Sequence, residues 1–271
     1  MAADKGTEPR PAAPRAREGQ RVPDVELRVL RAQGEGAGQW QPVRSGAFFG
    51  GRTVALFALP GAFTPTCSSQ HLPRYEELAA ALTQAGVDEI ACLAVNDPYV
   101  MQAWAHDEDV HEVTLLADGN CEFTEALGMA VDKRDLGFGR RSWRYSMLVR
   151  DGVIEKLFAE SETPGDPYRV SDADTMLAHV APGSRPPDRI ALLTREGCPH
   201  CARARKLLDD ANLDYVEVPL EHAIRGTVVG AITGRDTVPQ VFINGEHIGG
   251  ADDLERKLFG RGGDPEPRTA S

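Results

Sequence analysis

The sequence predicts an α/β protein built from two similar domains in tandem. Three observations carry that prediction. Short apolar runs alternate with stretches of helical period along most of the chain. The alternation stops at a Pro- and Gly-rich linker over 182–188 and then restarts. In each half, one apolar run leads into a cysteine that opens a helix, Cys67 in the first and Cys198 in the second.

Length and composition narrow the classes. A chain of 271 residues accommodates about two domains. No apolar run approaches the roughly 20 residues of a membrane span, so no membrane is expected as a partner. A net charge of −11 argues against a nucleic-acid partner. Five cysteines are an odd number and contain only one close pair, unlike a secreted disulfide framework, so a reducing, cytoplasmic location is expected. Residues 1–20 are rich in Ala, Pro, Arg and Glu and lack the apolar core of a signal peptide. They and residues 261–271 read as disordered tails.

The first domain is expected over 21–181. Alternation over 21–29 suggests a first strand, followed by a turn at 34–38. The continuous apolar run 53–59 reads as a buried strand, and apolar spacing over 70–86 as a helix stopped by Gly86. A second buried strand covers 90–95, and Asp97 with Pro98 opens a short helix to 106. A strand at 113–116 and a helix at 122–127, closed by Gly128, follow. Asp151-Gly152 between 144–150 and 153–158 is a hairpin signal. A helix over 171–180 has Ser171 as its N-cap. Strands alternating with helices, plus one hairpin, argue for a mixed sheet covered on both faces.

The second domain, 189–260, repeats the pattern. Strands are expected at 189–194, 214–219, 238–243 and 246–248, the last two joined by Asn244-Gly245. Helices are expected from Cys198 to about 210, over 221–232 and over 252–259.

The first cysteine lies in Pro60-Gly61-Ala62-Phe63-Thr64-Pro65-Thr66-Cys67. A helix N-terminus offers free amides and a positive dipole end, which favour an anion such as a thiolate. Pro60 and Pro65 stiffen the loop, and Thr64 can offer a hydroxyl to whatever the sulfur meets. A buried structural cysteine after a strand is the bland alternative.

Pro-x-x-x-Thr-x-x-Cys resembles the active-site motif of the peroxiredoxins, and Gly-Ala-Phe-Thr-Pro-Thr-Cys their type-five subfamily. The resemblance implies a thioredoxin-like fold. It makes Cys67 the nucleophile that attacks peroxide, with Thr64 and an arginine binding the peroxide oxygens and Pro60 shielding the sulfur. The family's Arg-aromatic-Ser-Met segment falls on Arg144-Tyr145-Ser146-Met147, which selects Arg144. Arg140 and Arg141 are then expected as surface or dimer contacts. A guanidinium beside a thiol favours the thiolate and polarises a breaking oxygen–oxygen bond. His71, one turn beyond Cys67, reads as a packing or interface histidine ahead of a proton relay.

Peroxide attack leaves a sulfenic acid that a second thiol must resolve. Many type-five members carry that thiol after the hairpin, but residues 161–170 contain no cysteine. Cys92 sits inside a strand. Cys121 occupies a turn with nothing placing it near Cys67. A one-cysteine mechanism with an outside reductant is indicated.

Cys198-Pro199-His200-Cys201, at a strand-to-helix junction, reads as a redox dithiol with an exposed Cys198 as the nucleophile, its pKa depressed by the helix dipole, and Cys201 as the buried partner. Zinc would need two further ligands, and His222 and His247 are isolated. No metal is expected. The segment 189–259 resembles glutaredoxin, through Cys-Pro-His-Cys, Thr237-Val238-Pro239 and Gly249-Gly250-Ala251-Asp252-Asp253-Leu254. By that likeness Pro239 is cis, and Thr237, Val238 and Pro239 line a glutathione groove. Gly250, Ala251 and Asp252 would hold the γ-glutamyl end, and Arg195 would reach the glycyl carboxylate or serve as a surface charge.

Together the halves resemble the bacterial peroxiredoxin–glutaredoxin hybrids. The fold expected is two thioredoxin-like domains in tandem, with no permanently bound cofactor and glutathione as the reducing co-substrate. Hydroperoxide is the expected substrate, and a homo-oligomer, dimer or tetramer, the expected assembly. Two rivals belong to other classes. One is a general glutathione-dependent disulfide or deglutathionylation enzyme, and the other is a peroxide sensor or holdase.

Overall fold

The structure, a computed structural model, describes residues 15–33, 36–160, 167–220 and 225–260. The chain divides into two compact units that meet between Pro186 and Pro187. The expected tails over 1–14 and 261–271 lie outside the described residues, as does the cysteine-free segment over 161–166. Residues 15–20, expected to belong to a tail, are instead docked on the first unit. The Arg15 N–H donates to Gly128 O at 3.0 Å, that of Gly19 donates to Ile154 O at 2.8 Å, and Ala16 is buried.

In the first unit the strands are β1 (Glu26–Gln33), β2 (Gly36–Arg44), β3 (Thr53–Leu59), β4 (Glu89–Ala94), β5 (Thr114–Ala117), β6 (Ala130–Asp132), β7 (Arg140–Ser142), β8 (Tyr145–Arg150) and β9 (Val153–Ala159). The helices are α1 (Ser45–Phe49), α2 (Leu72–Glu77), α3 (Ala79–Gln84), α4 (Pro98–Asp107), α5 (Glu122–Leu127) and α6 (Ala173–Val180). Seven strands form one mixed sheet in the order β2-β1-β5-β4-β3-β8-β9, with β3, β4 and β5 parallel and the outer pairs antiparallel. Strand β3 is interior, between β4 and β8. Its residues Ala55, Phe57 and Leu59 enter one hydrophobic cluster, while Val54, Leu56 and Ala58 enter the other. Both faces are thus covered, so the strand reads as an unbroken apolar run.

Several expectations shift. The first strand begins at Glu26, and residue 21 makes only a bridge to Val153. Gly34, in the expected turn, lies outside the described residues, but residues 36–38 belong to β2, which was not foreseen. Its Gly, Gln and Pro42 carry little strand signal, and an edge strand tolerates proline. The short α1 and the β6–β7 pair also escaped detection. The expected 70–86 helix divides at Leu78 into α2 and α3. The N-cap of α6 is Asp172, whose carboxylate accepts from Thr175 N at 2.8 Å, and not Ser171. The Ser171 hydroxyl is committed elsewhere, to Glu160.

In the second unit the strands are β10 (Ile190–Thr194), β11 (Val216–Pro219), β12 (Gln240–Ile243) and β13 (Glu246–Gly249), with helices α7 (Pro199–Asp210), α8 (Arg225–Thr233) and α9 (Ala251–Phe259). The sheet order is β11-β10-β12-β13. Residues 221–224, expected at the start of α8, lie outside the described residues. Asn244 and Gly245 both take positive φ, 51° and 83°, as a two-residue hairpin requires. Leu192, Ala204, Leu208, Val241 and Leu254 form the core between the sheet and α7 and α9. Among the described residues of both units, no helix is long and apolar enough to cross a membrane.

Candidate active site

The first site lies at the carboxyl end of β3, where the parallel strands of an α/β sheet leave a crevice. Pro60 is buried directly after the strand. The Ala62 N–H donates to the Asn96 side chain at 3.1 Å, tying the loop to the end of β4. Phe63 adopts a positive φ of 60°, a strained conformation for an aromatic residue, and half of its surface is exposed. The Thr64 hydroxyl donates to Gly61 O at 2.9 Å. With its proton spent inside the loop, its oxygen remains an acceptor for a hydrogen-bonded substrate.

The chain turns helical at Pro65 and widens into a π-type turn over Cys67–His71, where the Leu72 N–H reaches Cys67 O. Such wide turns interrupt regular helix most often at functional positions. Cys67 is wholly buried. The Arg144 Nη2 donates to its sulfur at 3.5 Å, across 77 residues of sequence. Arg144 is itself 2% exposed. Its other terminal nitrogen, Nη1, lies 3.0 Å from His71 Nδ1. His71 Nε2 lies 3.1 Å from Ser171 O. A guanidinium only donates and a carbonyl only accepts, so the histidine carries its proton on Nε2 and accepts from Arg144 at Nδ1. Burial, reinforced by the Arg144 charge, holds His71 well below its ordinary pKa and hence neutral. Both ring nitrogens are engaged. His71 is a packing histidine with a specific task, holding the arginine, and not a proton relay. The Tyr168 ring also faces the guanidinium, 5.7 Å from Cζ to centroid.

The other cysteines of this unit are not activated. Burial, then the neighbouring Cys67, pushes the Cys92 thiol well above its usual value. Burial and the Asp118 charge push Cys121 up to about 11. Arg140 pairs with Glu125, and Arg141 donates to Phe138 O and Val95 O, so both brace the neighbouring loops.

In the second unit Cys198 caps α7, its sulfur accepting from Cys201 N at 3.3 Å, and packing beside the Val238–Pro239 loop leaves it buried, not exposed as expected. Burial opposes the Cys198 thiolate. Hydrogen bonds from the Cys201 thiol and backbone, the Arg195 side chain and the His200 backbone outweigh it and hold the pKa below the ordinary thiol value. Cys201 behaves oppositely, pushed up to about 11 by burial and by its bond to Cys198. The Cys198 thiol also faces Val238 O at 3.8 Å, beside the cis Val238–Pro239 peptide. A groove of about 470 Å³ opens here.

Every groove residue anticipated from the sequence lines it: Arg195, Thr237, Val238, Pro239, Gly250, Ala251 and Asp252. The sequence reading missed His200, Val229, Arg235, Asp236 and Asp253. Arg235 donates to the Asp253 carboxylate at 2.9 Å, and Asp253 in turn accepts from Gly250 N at 2.9 Å. Asp252 is paired with Arg203 of α7. His247 Nε2 sits 2.7 Å from Gln240 Oε1, which occupies it within the domain, and His222 lies outside the described residues.

Comparison with known proteins places both domains in known families. The profile of the Redoxin family matches residues 17–177, and that of the Glutaredoxin family residues 190–248. A hybrid peroxiredoxin of Haemophilus influenzae is 53% identical over 239 residues, 88% of this chain and 97% of that one. A peroxiredoxin of Synechocystis is 51% identical over 180 residues, covering 62% of this chain and 95% of its own. A reduced peroxiredoxin of Vibrio vulnificus, solved in complex with hydrogen peroxide, superposes with a TM-score of 0.56 at 42% identity, covering 61% of this chain and 99% of its own. With a redoxin domain over more than half its length and a glutaredoxin domain behind it, the chain belongs to the redoxin family as a hybrid peroxiredoxin.

Proposed function

We propose that the protein reduces hydrogen peroxide and small alkyl hydroperoxides at Cys67 and recovers its thiol through glutathione and the fused glutaredoxin domain. The observation that carries this reading is the Arg144 fork, which donates to the Cys67 sulfur inside a buried site. The thiolate attacks one peroxide oxygen, the oxygen–oxygen bond breaks, and the departing alkoxide or hydroxide takes a proton. Arg144 supports the charge as it moves from sulfur to leaving oxygen, and the Thr64 oxygen accepts from the peroxide O–H. Pro60 keeps water from the sulfur.

The resulting sulfenic acid condenses with one glutathione, releasing water and leaving a mixed disulfide on Cys67. The Cys198 thiolate attacks the glutathione sulfur of that disulfide, returning Cys67 as a thiolate. A second glutathione then reduces Cys198 and leaves as glutathione disulfide. The sum is one hydroperoxide and two glutathiones converted to alcohol, water and glutathione disulfide. In this scheme Cys201 is not consumed. Thr237, Val238, Pro239, Gly250, Ala251 and Asp252 hold the glutathione, with Arg195 shared between the Cys198 sulfur and the glycyl carboxylate. A glutathione-rich cytoplasm supplies the reductant, and a homo-oligomer is the proposed assembly.

The test is peroxide consumption coupled to glutathione oxidation in the intact chain and in Cys198→Ser. The expected result is loss of turnover in the variant, with a glutathione adduct accumulating on Cys67. Undiminished turnover in Cys198→Ser would favour an external reductant and leave the second domain to the general disulfide role.

A further inference from the structure

Glu160 is buried, 3% exposed, immediately after β9 and outside the motifs assigned above. It is the residue opposite Arg144 where the β8–β9 pairing ends, its N–H donating to Arg144 O at 3.0 Å. One carboxylate oxygen, Oε1, accepts from Arg169 N at 2.8 Å, Val170 N at 2.9 Å, Ser171 N at 3.0 Å and Ser171 Oγ at 2.8 Å. A buried carboxylate satisfied by several backbone donors is a strong organiser of a loop. The loop it organises returns to the side chain of the same arginine. Its Ser171 carbonyl accepts from His71, which accepts from Arg144. Its Tyr168 ring lies beside both, tilted 56° to the His71 ring at 5.0 Å and 5.7 Å from the guanidinium.

From this closed circuit we infer that Glu160 is a positioning residue for peroxide reduction. Its backbone N–H holds the Arg144 carbonyl, and its carboxylate, through residues 168–171 and His71, aims the Arg144 fork at the Cys67 sulfur. The physical reason is the freedom of the last link. The Nη2–Sγ contact, at 3.5 Å, is a hydrogen bond to a large, soft acceptor, and a guanidinium on a flexible stem has many competing poses. Clamping its other nitrogen and its flat face removes those poses before peroxide arrives, which is where preorganised electrostatics gain their advantage. The backbone of residue 160 and the loop gathered by its carboxylate thus reach the same arginine, one at its carbonyl and the other at its side chain.

The inference rests on Cys67 as the peroxide-reacting thiol, and the experiment separates the two. The rate of Cys67 oxidation by hydrogen peroxide is followed by stopped flow in the full chain, Glu160→Gln, Arg144→Lys and the double variant, well below each unfolding midpoint. The expected loss for Glu160→Gln is about tenfold, within the range that small misplacements cost. In the Arg144→Lys background, where no fork remains to be aimed, the same change should cost less than about twofold. An equal tenfold loss in both backgrounds, or no loss in either, overturns the inference. If Glu160→Gln does not fold, Ser171→Ala removes one bond to Glu160 while keeping the carbonyl that holds His71. A loss of about threefold, confined to the Arg144 background, then supports the circuit, and its absence overturns it. Failure of the underlying reading has a different signature, because peroxide would then be consumed equally by Cys67→Ser.

Discussion

The two thiols are prepared in opposite ways. Cys67 is wholly buried, and its partner cation arrives from the residue just before β8, 77 residues away. Cys198 is prepared locally, by the amides at the start of its own helix and by Arg195 three residues before it. The buried site excludes water and presents one fork to a small, nearly symmetrical substrate. The second site adjoins a groove of about 470 Å³, the space that the proposed glutathione would fill. A dry site raises the strength of each electrostatic contact but depends on exact placement, whereas a helix-end site tolerates movement.

The strongest way to break this comparison is Cys67→Ser. It should abolish peroxide reduction, a loss of more than about a thousandfold by comparison with other removed nucleophiles, while glutathione-dependent reduction of a small disulfide at Cys198 continues. If peroxide activity survives, the buried thiol is not the reactive one. Next is Arg144→Lys, which keeps the charge but not the fork. A fall of about a hundredfold in the rate of Cys67 oxidation is expected, with exchange at Cys198 unchanged. A fall below tenfold would show that charge alone suffices there.

The local site is sharpened by pH. An acid whose folded pKa is depressed is ionised earlier as pH rises, so in the reduced protein Cys198 should be alkylated at a lower pH than an ordinary thiol. Cys201 should stay protected until the pH approaches about 11. The matching stability term for Cys198 is present above the unfolded thiol's pKa and lost as pH falls through the folded one. Mass spectrometry of the iodoacetamide adducts across a pH series reads both. Simultaneous labelling of the two cysteines would remove the distinction.

The smallest effect is expected at Asn96→Ala. It removes the bond that tethers the Ala62 N–H and should cost about 1 kcal/mol of stability, with a change of a few-fold in peroxide rate. A thermal melt and stopped flow on the same sample check it.

Much of the second domain was legible from sequence because its chemistry is local. The Cys-Pro-His-Cys turn, the Thr-Val-Pro loop and the Gly-Gly turn are short segments whose backbone is set within a few residues, and their groove residues converge as anticipated. What escaped there, Arg235 and Val229, enters the groove from α8 and the segment after it, which carry no motif. In the first domain Pro60, Thr64 and Cys67 were legible for the same local reason. Arg144 came from family likeness and not from spacing.

Tyr168, Ser171 and Glu160 were not legible in any form, and Ser171 was misassigned as a helix cap. Their meeting depends on the β8–β9 register, which puts Glu160 opposite Arg144, and on the packing of residues 168–171 beside His71. By itself the sequence determined the α/β class and the two-domain division and marked the two candidate nucleophiles, since each rests on periodicity or on a contiguous motif. Only the tertiary structure decided which groups hold Arg144, because a buried ion is positioned by whatever the packing brings within 3–4 Å, and packing does not respect distance along the chain.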